Sequence, residues 1–193
     1  MMNYISEKSI DNQVTIATFL DLSKAFDRLQ YDKLYKKLEY LGISGIELAW
    51  FKDKLCKRKQ FVDLEGNQSE WIYVELGVPQ RSILGPILFL IYVNDTNHST
   101  DIANFTKLAE DTTILTSGKT IQEEEHKMNM ALTNVSLWSQ CNKLNLNPSK
   151  TRYTIFYSNS TDTELVKIGN EYITLVHKKG KETSFTLVGI QIP

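Results

Sequence analysis

Cysteine is nearly absent from this sequence. Its 193 residues hold two, Cys56 and Cys141, with no C-x-x-C spacing, and its three histidines stand apart from one another. These shortages exclude a disulfide framework and a zinc-ligand cluster, and free thiols suit a reducing compartment. An excess of charge is lacking too. With 22 Lys and Arg against 23 Asp and Glu, the net charge is -1, so the bulk field steers the chain towards neither nucleic acid nor an anionic membrane. The longest apolar run, ILGPILFLIYV, is too short to span a bilayer and is broken by Gly85 and Pro86. The polar start MMNYISEKSIDNQ has no apolar core segment of the signal-peptide kind. The expectation is an intracellular, non-secreted protein without a membrane partner, nucleus and cytoplasm being left undistinguished. No internal repeat, low-complexity tract or linker rich in Pro or Ser is present.

What remains is ordinary globular material. A hydrophobic content of 41%, with 10% aromatic residues, argues against disorder, and the length allows a sizeable core. Residues 14–22, VTIATFLDL, read as a buried strand ending at Asp21. YDKLYKKLEYLG places Leu34, Leu38 and Leu41 on one helical face and stops at Gly42. Ser44 lies three residues before Glu47, a capping box opening a second helix. QFVDL and WIYVEL, separated by EGNQS, predict a hairpin. GPILFLIYVND begins with a helix-starting Pro86 and is apolar all round, which predicts a buried helix. Thr120 and Glu123 form another capping box before a long helix to about Asn142, and TRYTIFYS reads as a strand. VKIGNEYITL and SFTLVGIQI supply the last strands. With the two early helices and their hairpin set aside, the order is strand, helix, hairpin, helix, strand. The predicted fold is α+β: a split β-α-β-β-α-β antiparallel sheet with helices on one face.

One feature resists that reading. In NFTKLAEDTTIL two adjacent acids, Glu110 and Asp111, interrupt a strand-like run, although acids are depleted from strands and like charges repel when desolvated. In the expected topology the first strand and the central hairpin are neighbours, so Asp21 comes to the same sheet end as this pair. Three converging carboxylates repel unless they hold cations, and hard oxygen donors suit Mg²⁺ in two-metal phosphoryl transfer. A helix cap at Asp21 and solvated turn acids at 110 and 111 are the plainer alternatives. The stretch KDKLCKRKQ offers a local basic patch or, equally, a solvated helix end whose cations complement the dipole.

Four blocks in fixed order weigh on the reading of the acids: FLDLSKAFDRLQYDKLYKKLEYLGI, GVPQRSILGPILFLIYVND, LAEDTTIL and NKLNLNPSKTRYTIF. Together they resemble the palm of reverse transcriptases from non-LTR (long interspersed, jockey-like) retrotransposons, over nearly the whole chain from about Val14. The resemblance implies a right-hand-polymerase palm over residues 1–158, with helices and a hairpin inserted at 31–76. Residues 159–193 become post-palm strands at the start of a thumb connection, SFTLVGI being similar to the family's FLG segment. It implies that Asp21, Glu110 and Asp111 bind metal, two Mg²⁺ ions with Mn²⁺ as a substitute. Phe26 becomes the aromatic gate against a sugar 2′-hydroxyl, and Gln80 a nucleotide and template contact. Lys150 becomes the cation or proton donor near the leaving pyrophosphate. The implied partners are an RNA template, a DNA primer and deoxynucleoside triphosphates.

The chain also departs from the family pattern. It has AED where the family has ADD, so Glu110 carries an extra methylene that moves its carboxylate by about 1.5 Å. A misplacement of about 1 Å can cost roughly 10²-fold in rate. Arg81 replaces the glycine of PQG, putting a long side chain where backbone approaches the nucleotide; it either occludes that pocket or pairs with a carboxylate and competes with metal, unless it simply points into solvent. The chain begins about twenty residues before Asp21, which implies that most of the fingers lies elsewhere. The expectation is an RNA-directed DNA polymerase domain with negligible activity as it stands. The alternative is a non-catalytic remnant serving as a nucleic-acid or protein interaction module; a structural metal site is a third and weaker reading.

Overall fold

The computed structural model describes residues 1–79, 82–108, 111–156, 167–168, 171–172 and 174–178. The chain opens with helix α1 (Met2–Ile10), strands β1 (Val14–Leu20) and β2 (Leu22–Ser23), and a 3-10 turn at Ala25–Asp27. Helices α2 (Tyr31–Tyr40) and α3 (Gly45–Cys56) follow. Next come short strands β3 (Lys59–Gln60), β4 (Asp63–Leu64), β5 (Asn67–Gln68) and β6 (Ile72–Tyr73), then α4 (Leu84–Val93) and a 3-10 segment, Asn94–Ser99. The remainder is β7 (Asn104–Leu108), β8 (Asp111–Gly118), α5 (Ile121–Cys141), β9 (Asn145–Leu146), β10 (Arg152–Phe156), β11 (Lys167–Ile168), β12 (Glu171–Tyr172) and β13 (Thr174–Lys178). These form two compact units, one of Met1–Ser23 with Asp95–Pro193 and one of Lys24–Asn94.

The first unit is built on a five-stranded sheet of order β13-β10-β1-β8-β7. β1 lies antiparallel to both β10 and β8, and β8 pairs with β7 as a hairpin. Alternation along β1 gives each face its own core. Ile16 packs with Ile114, Met128, Leu132 and Val135 beneath α5, while Ala17, one residue on, packs with Leu115 and with Ile5 of α1. Burial on both faces explains why β1 reads as an almost continuous apolar and β-branched run. The expected helices-on-one-face arrangement is therefore corrected: α1, which sequence periodicity does not announce, occupies the other face. The sheet is also not wholly antiparallel, because β13 adds to β10 in parallel.

Helix α5 starts where expected. Thr120 caps it by accepting a hydrogen bond from the Glu123 N–H at 3.2 Å, and Glu123 accepts from the Lys119 N–H. Its buried residues Met128, Ala131, Leu132 and Val135 recur at helical spacing.

In the second unit α2 ends in a Schellman motif: the Ile43 N–H bonds the Leu38 carbonyl, the Gly42 N–H bonds that of Glu39, and Gly42 takes φ +86°. Helix α3 forms without the expected cap, since Ser44 makes no side-chain capping bond. The hairpin pairs β3 with β6 and β4 with β5, turning at Glu65–Gly66, both at positive φ. Helix α4 is not buried all round. Leu88, Phe89 and Tyr92 are enclosed, yet Ile87 and Leu90 are 48% and 42% exposed.

Candidate active site

The β1–β8 ladder runs from Val14 opposite Gly118 to Leu20 opposite Thr112. Asp21 is the residue after Leu20 and Asp111, the first residue of β8, the one before Thr112, so both lie at the same end of the ladder. By strand alternation both side chains belong to the face that carries Ala17 and Leu115. Directly opposed like charges are unfavourable in a β ladder. Asp111 is exposed and Asp21 half-buried, and neither carboxylate has a hydrogen-bond or ion-pair partner among the described residues. Two hard oxygen donors left unpaired at one sheet end fit a divalent cation such as Mg²⁺. Glu110 lies outside the described residues. Among the described residues no group of three or more His, Cys, Asp or Glu is assembled as a metal site.

Lys150 comes from the turn that joins β9 to β10. Asn147 opens the turn and Pro148 follows it, the residue preference of a type I turn. The Asn147 carbonyl accepts from the N–H groups of Lys150 at 3.2 Å and Thr151 at 2.9 Å. Lys150 is exposed, with no side-chain partner among the described residues.

The second unit holds Phe26 and the start of the GVPQ segment. Gly77 donates its N–H to the Leu29 carbonyl and Val78 donates to that of Phe26, both at 2.8 Å. Gly77 sits at φ +74°, and a Cβ there would lie 2.6 Å from the Phe26 carbonyl oxygen and 2.7 Å from Asp27 Cα. Both conformation and space demand glycine. The half-buried Phe26 ring packs on Phe89 with centroids 4.7 Å apart. Gln80 and Arg81 lie outside the described residues, but the flanks of their segment are fixed. Ser82 donates its hydroxyl to the Pro79 carbonyl and accepts from the Gly85 N–H, and a Cβ on Gly85 would meet the Pro79 carbonyl at 2.5 Å.

Sequence reading passed over Arg58 as one of several cations. One of its guanidinium nitrogens reaches the Gly77 carbonyl at 2.8 Å, the Tyr31 hydroxyl at 2.9 Å and the Leu76 carbonyl at 3.2 Å, so it braces the same segment. A cleft of about 550 Å³ lies beside it, lined by Asp27, Arg58, Tyr73, Glu75 and Pro79 among others. The remaining cations of KDKLCKRKQ are individually engaged. Lys57 pairs with Asp53, while Lys52, Lys54 and Lys59 lie over the rings of Tyr35, Trp50 and Tyr73. The stretch is a set of local contacts at and beyond a helix end. Gly77 and Gly85 had a signal in the sequence, as glycines flanking a Pro-containing segment; Arg58 had none.

The family model described as "Reverse transcriptase (RNA-dependent DNA polymerase)" matches residues 2–192. The chain belongs to the reverse transcriptase family. Among curated relatives, it is 26% identical over 157 residues to the RNA-directed DNA polymerase from mobile element jockey of Drosophila melanogaster. It is 27% identical over 161 residues to the probable RNA-directed DNA polymerase from transposon BS of the same species. Each match takes in 78% of this chain and 17% of the relative, so the chain is related to reverse transcriptases of jockey- and BS-type non-LTR retrotransposons but spans a small part of their length. Two solved telomerases share the mixed α/β reverse-transcriptase-like fold. Apo telomerase from Candida tropicalis aligns with a TM-score of 0.58 at 14% identity, over 89% of this chain and 37% of that one. Telomerase from Candida albicans, in complex with a TWJ fragment of telomeric RNA, aligns with a TM-score of 0.55 at 16% identity, over 88% and 32%.

Proposed function

We propose that this chain is the palm portion of a reverse transcriptase, whose ancestral reaction transfers a deoxynucleotide to a primer 3′-hydroxyl on an RNA template and releases pyrophosphate. What supports the reading is that Asp21 follows the last paired residue of β1 and Asp111 precedes its partner in β8, which brings both acids to one end of the sheet. Asp21 and Asp111 would hold Mg²⁺, with Glu110 as an impaired third ligand. When bound, the metal supplies electrostatic stabilisation of the transferring phosphoryl group. Phe26 bars a 2′-hydroxyl, and Gln80 contacts nucleotide and template. Arg81 replaces the glycine of the family pattern, and Lys150 serves the leaving pyrophosphate as a cation or proton donor. Template and primer are nucleic acids, as the fold's likeness to telomerases supports.

Glu110 and Arg81 leave the chain with negligible polymerase activity. Primer extension on an RNA template with Mg²⁺ and with Mn²⁺ tests this. The wild-type chain extends no primer above background, and robust extension would overturn the impairment. Glu110→Asp combined with Arg81→Gly, with an intact fingers region supplied, gains extension that Asp21→Asn abolishes; gain that survives Asp21→Asn would overturn the site.

A second reading, a non-catalytic interaction module, has one observation in its favour. The hairpin exposes Val62, Leu64, Trp71, Ile72 and Tyr73, each more than half accessible. Tight binding of a nucleic-acid duplex or of protein, with no synthesis recovered by the double variant, would favour this reading.

A further inference from the structure

The strand that carries Asp21 changes partners at that residue. The β1–β10 ladder stops at Phe19 opposite Arg152, and the β2–β9 ladder begins at Leu22 opposite Leu146. Leu20 and Asp21 on one side thus face the whole excursion from Asn147 to Thr151 on the other. A break of this kind would leave the backbone of Asp21 without ladder partners on that side. Instead both its polar groups are held. The Asp21 carbonyl accepts from the Asn147 N–H at 2.9 Å, and the Asp21 N–H donates to the Thr151 hydroxyl oxygen at 3.2 Å. That hydroxyl in turn donates to the Asn147 carbonyl at 2.9 Å, closing a ring of three residues. Thr151 is fully buried. A hydroxyl is suited to this place because it accepts and donates at once; valine has its shape and can do neither.

We propose that Thr151 is a positioning residue, a buried latch that fixes the backbone of Asp21 at the sheet end it shares with Asp111 and ties it to the turn bearing Lys150. The inference deepens the reverse transcriptase reading and rests on it. Asp21 stands just beyond the last paired residue of β1, where its backbone lacks the support a ladder gives. The latch fixes it through the backbone, and the residue that forms the latch is the chain neighbour of Lys150. Removing a group that orients a metal ligand typically lowers metal affinity by about 10–100-fold.

The test uses the full chain, with Mn²⁺ as probe, in wild type, Thr151→Val, Thr151→Ser and Asp21→Asn. Free Mn²⁺ is measured by electron paramagnetic resonance, exchange of the Asp21 amide by NMR, and folding by thermal melting. In Thr151→Val the Asp21 amide exchanges faster and Mn²⁺ affinity falls about 10–100-fold, and Thr151→Ser restores both. Thr151→Ala replaces the valine variant if that one fails to fold. A wild type that binds Mn²⁺ while the hydroxyl-free variant binds it equally well overturns the latch alone. A wild type that binds no Mn²⁺, indistinguishable from Asp21→Asn, overturns the carboxylate reading and the latch with it.

Discussion

Val78 donates its backbone N–H to the Phe26 carbonyl at 2.8 Å. The segment leading to Gln80 is thereby joined to the turn carrying the proposed sugar gate, and the junction leaves no room for a methyl group. Gly77→Ala sets a Cβ against backbone atoms that cannot move aside, in a conformation L-residues disfavour. Overpacking and left-handed strain together give an expected loss of about 2–4 kcal/mol. Denaturant unfolding checks it; a loss within about 0.5 kcal/mol, the scale of ordinary surface changes, would contradict the packing.

Arg58 braces the other side of that segment through one terminal guanidinium nitrogen. Arg58→Ala should lose about 1–3 kcal/mol, because carbonyl acceptors at Leu76 and Gly77 lose a charged partner. Arg58→Lys should recover less than half, since an ammonium on a shorter, differently shaped stem does not set one donor against both carbonyls. Full recovery by lysine in denaturant unfolding would show that charge alone matters there.

The two carboxylates should oppose stability when no metal is present. Asp111→Asn is expected to raise the metal-free melting temperature slightly, by the equivalent of up to about 1 kcal/mol, while abolishing any rise on adding Mg²⁺. Melting curves with and without 10-millimolar-range Mg²⁺ decide it. An equal metal-induced rise in both proteins would place the ion elsewhere.

The start of α5 should be acid-sensitive. The hydrogen bond from Lys127, followed by that from the Lys119 backbone, holds the Glu123 carboxyl below its usual range. Lys127 is raised in turn, first by Glu123 and then by the buried Glu124. A carboxyl lowered on folding stabilises at pH values above its unfolded value of about 4.3, and the gain disappears as pH falls through the lowered folded value. Glu123→Gln should therefore melt below wild type near neutrality, and the two curves should converge in acid. The raised lysine acts in the opposite direction, its contribution vanishing only as pH rises through the alkaline range. A wild-type advantage that grows in acid would reverse the assignment.

The arrival of Asp21 and Asp111 at one sheet end was legible because register is a short-range property. Once β7 and β8 are recognised as a hairpin and β8 as the neighbour of β1, the counting that sets Leu20 opposite Thr112 also brings Asp21 and Asp111 to the same end of the ladder. The Thr151 latch was not legible, since it depends on a strand changing partners between Phe19 and Leu22, and hydrophobic pattern carries no record of that. Helix α1 escaped for a different reason: it offers the sheet one buried aliphatic side chain, Ile5, too little to make a period. The exposed Ile87 and Leu90 of α4 show the converse. Hydropathy reports which side chains prefer to leave water, and it does not report which of them find neighbours.

The scarcity of cysteine has a practical consequence. Cys141 ends α5 in one unit and Cys56 ends α3 in the other, and both thiols are free and exposed. The unaltered chain therefore accepts one spectroscopic label on each unit, so that pulsed dipolar spectroscopy could follow their separation as a nucleic acid is added, with no residue replaced beforehand.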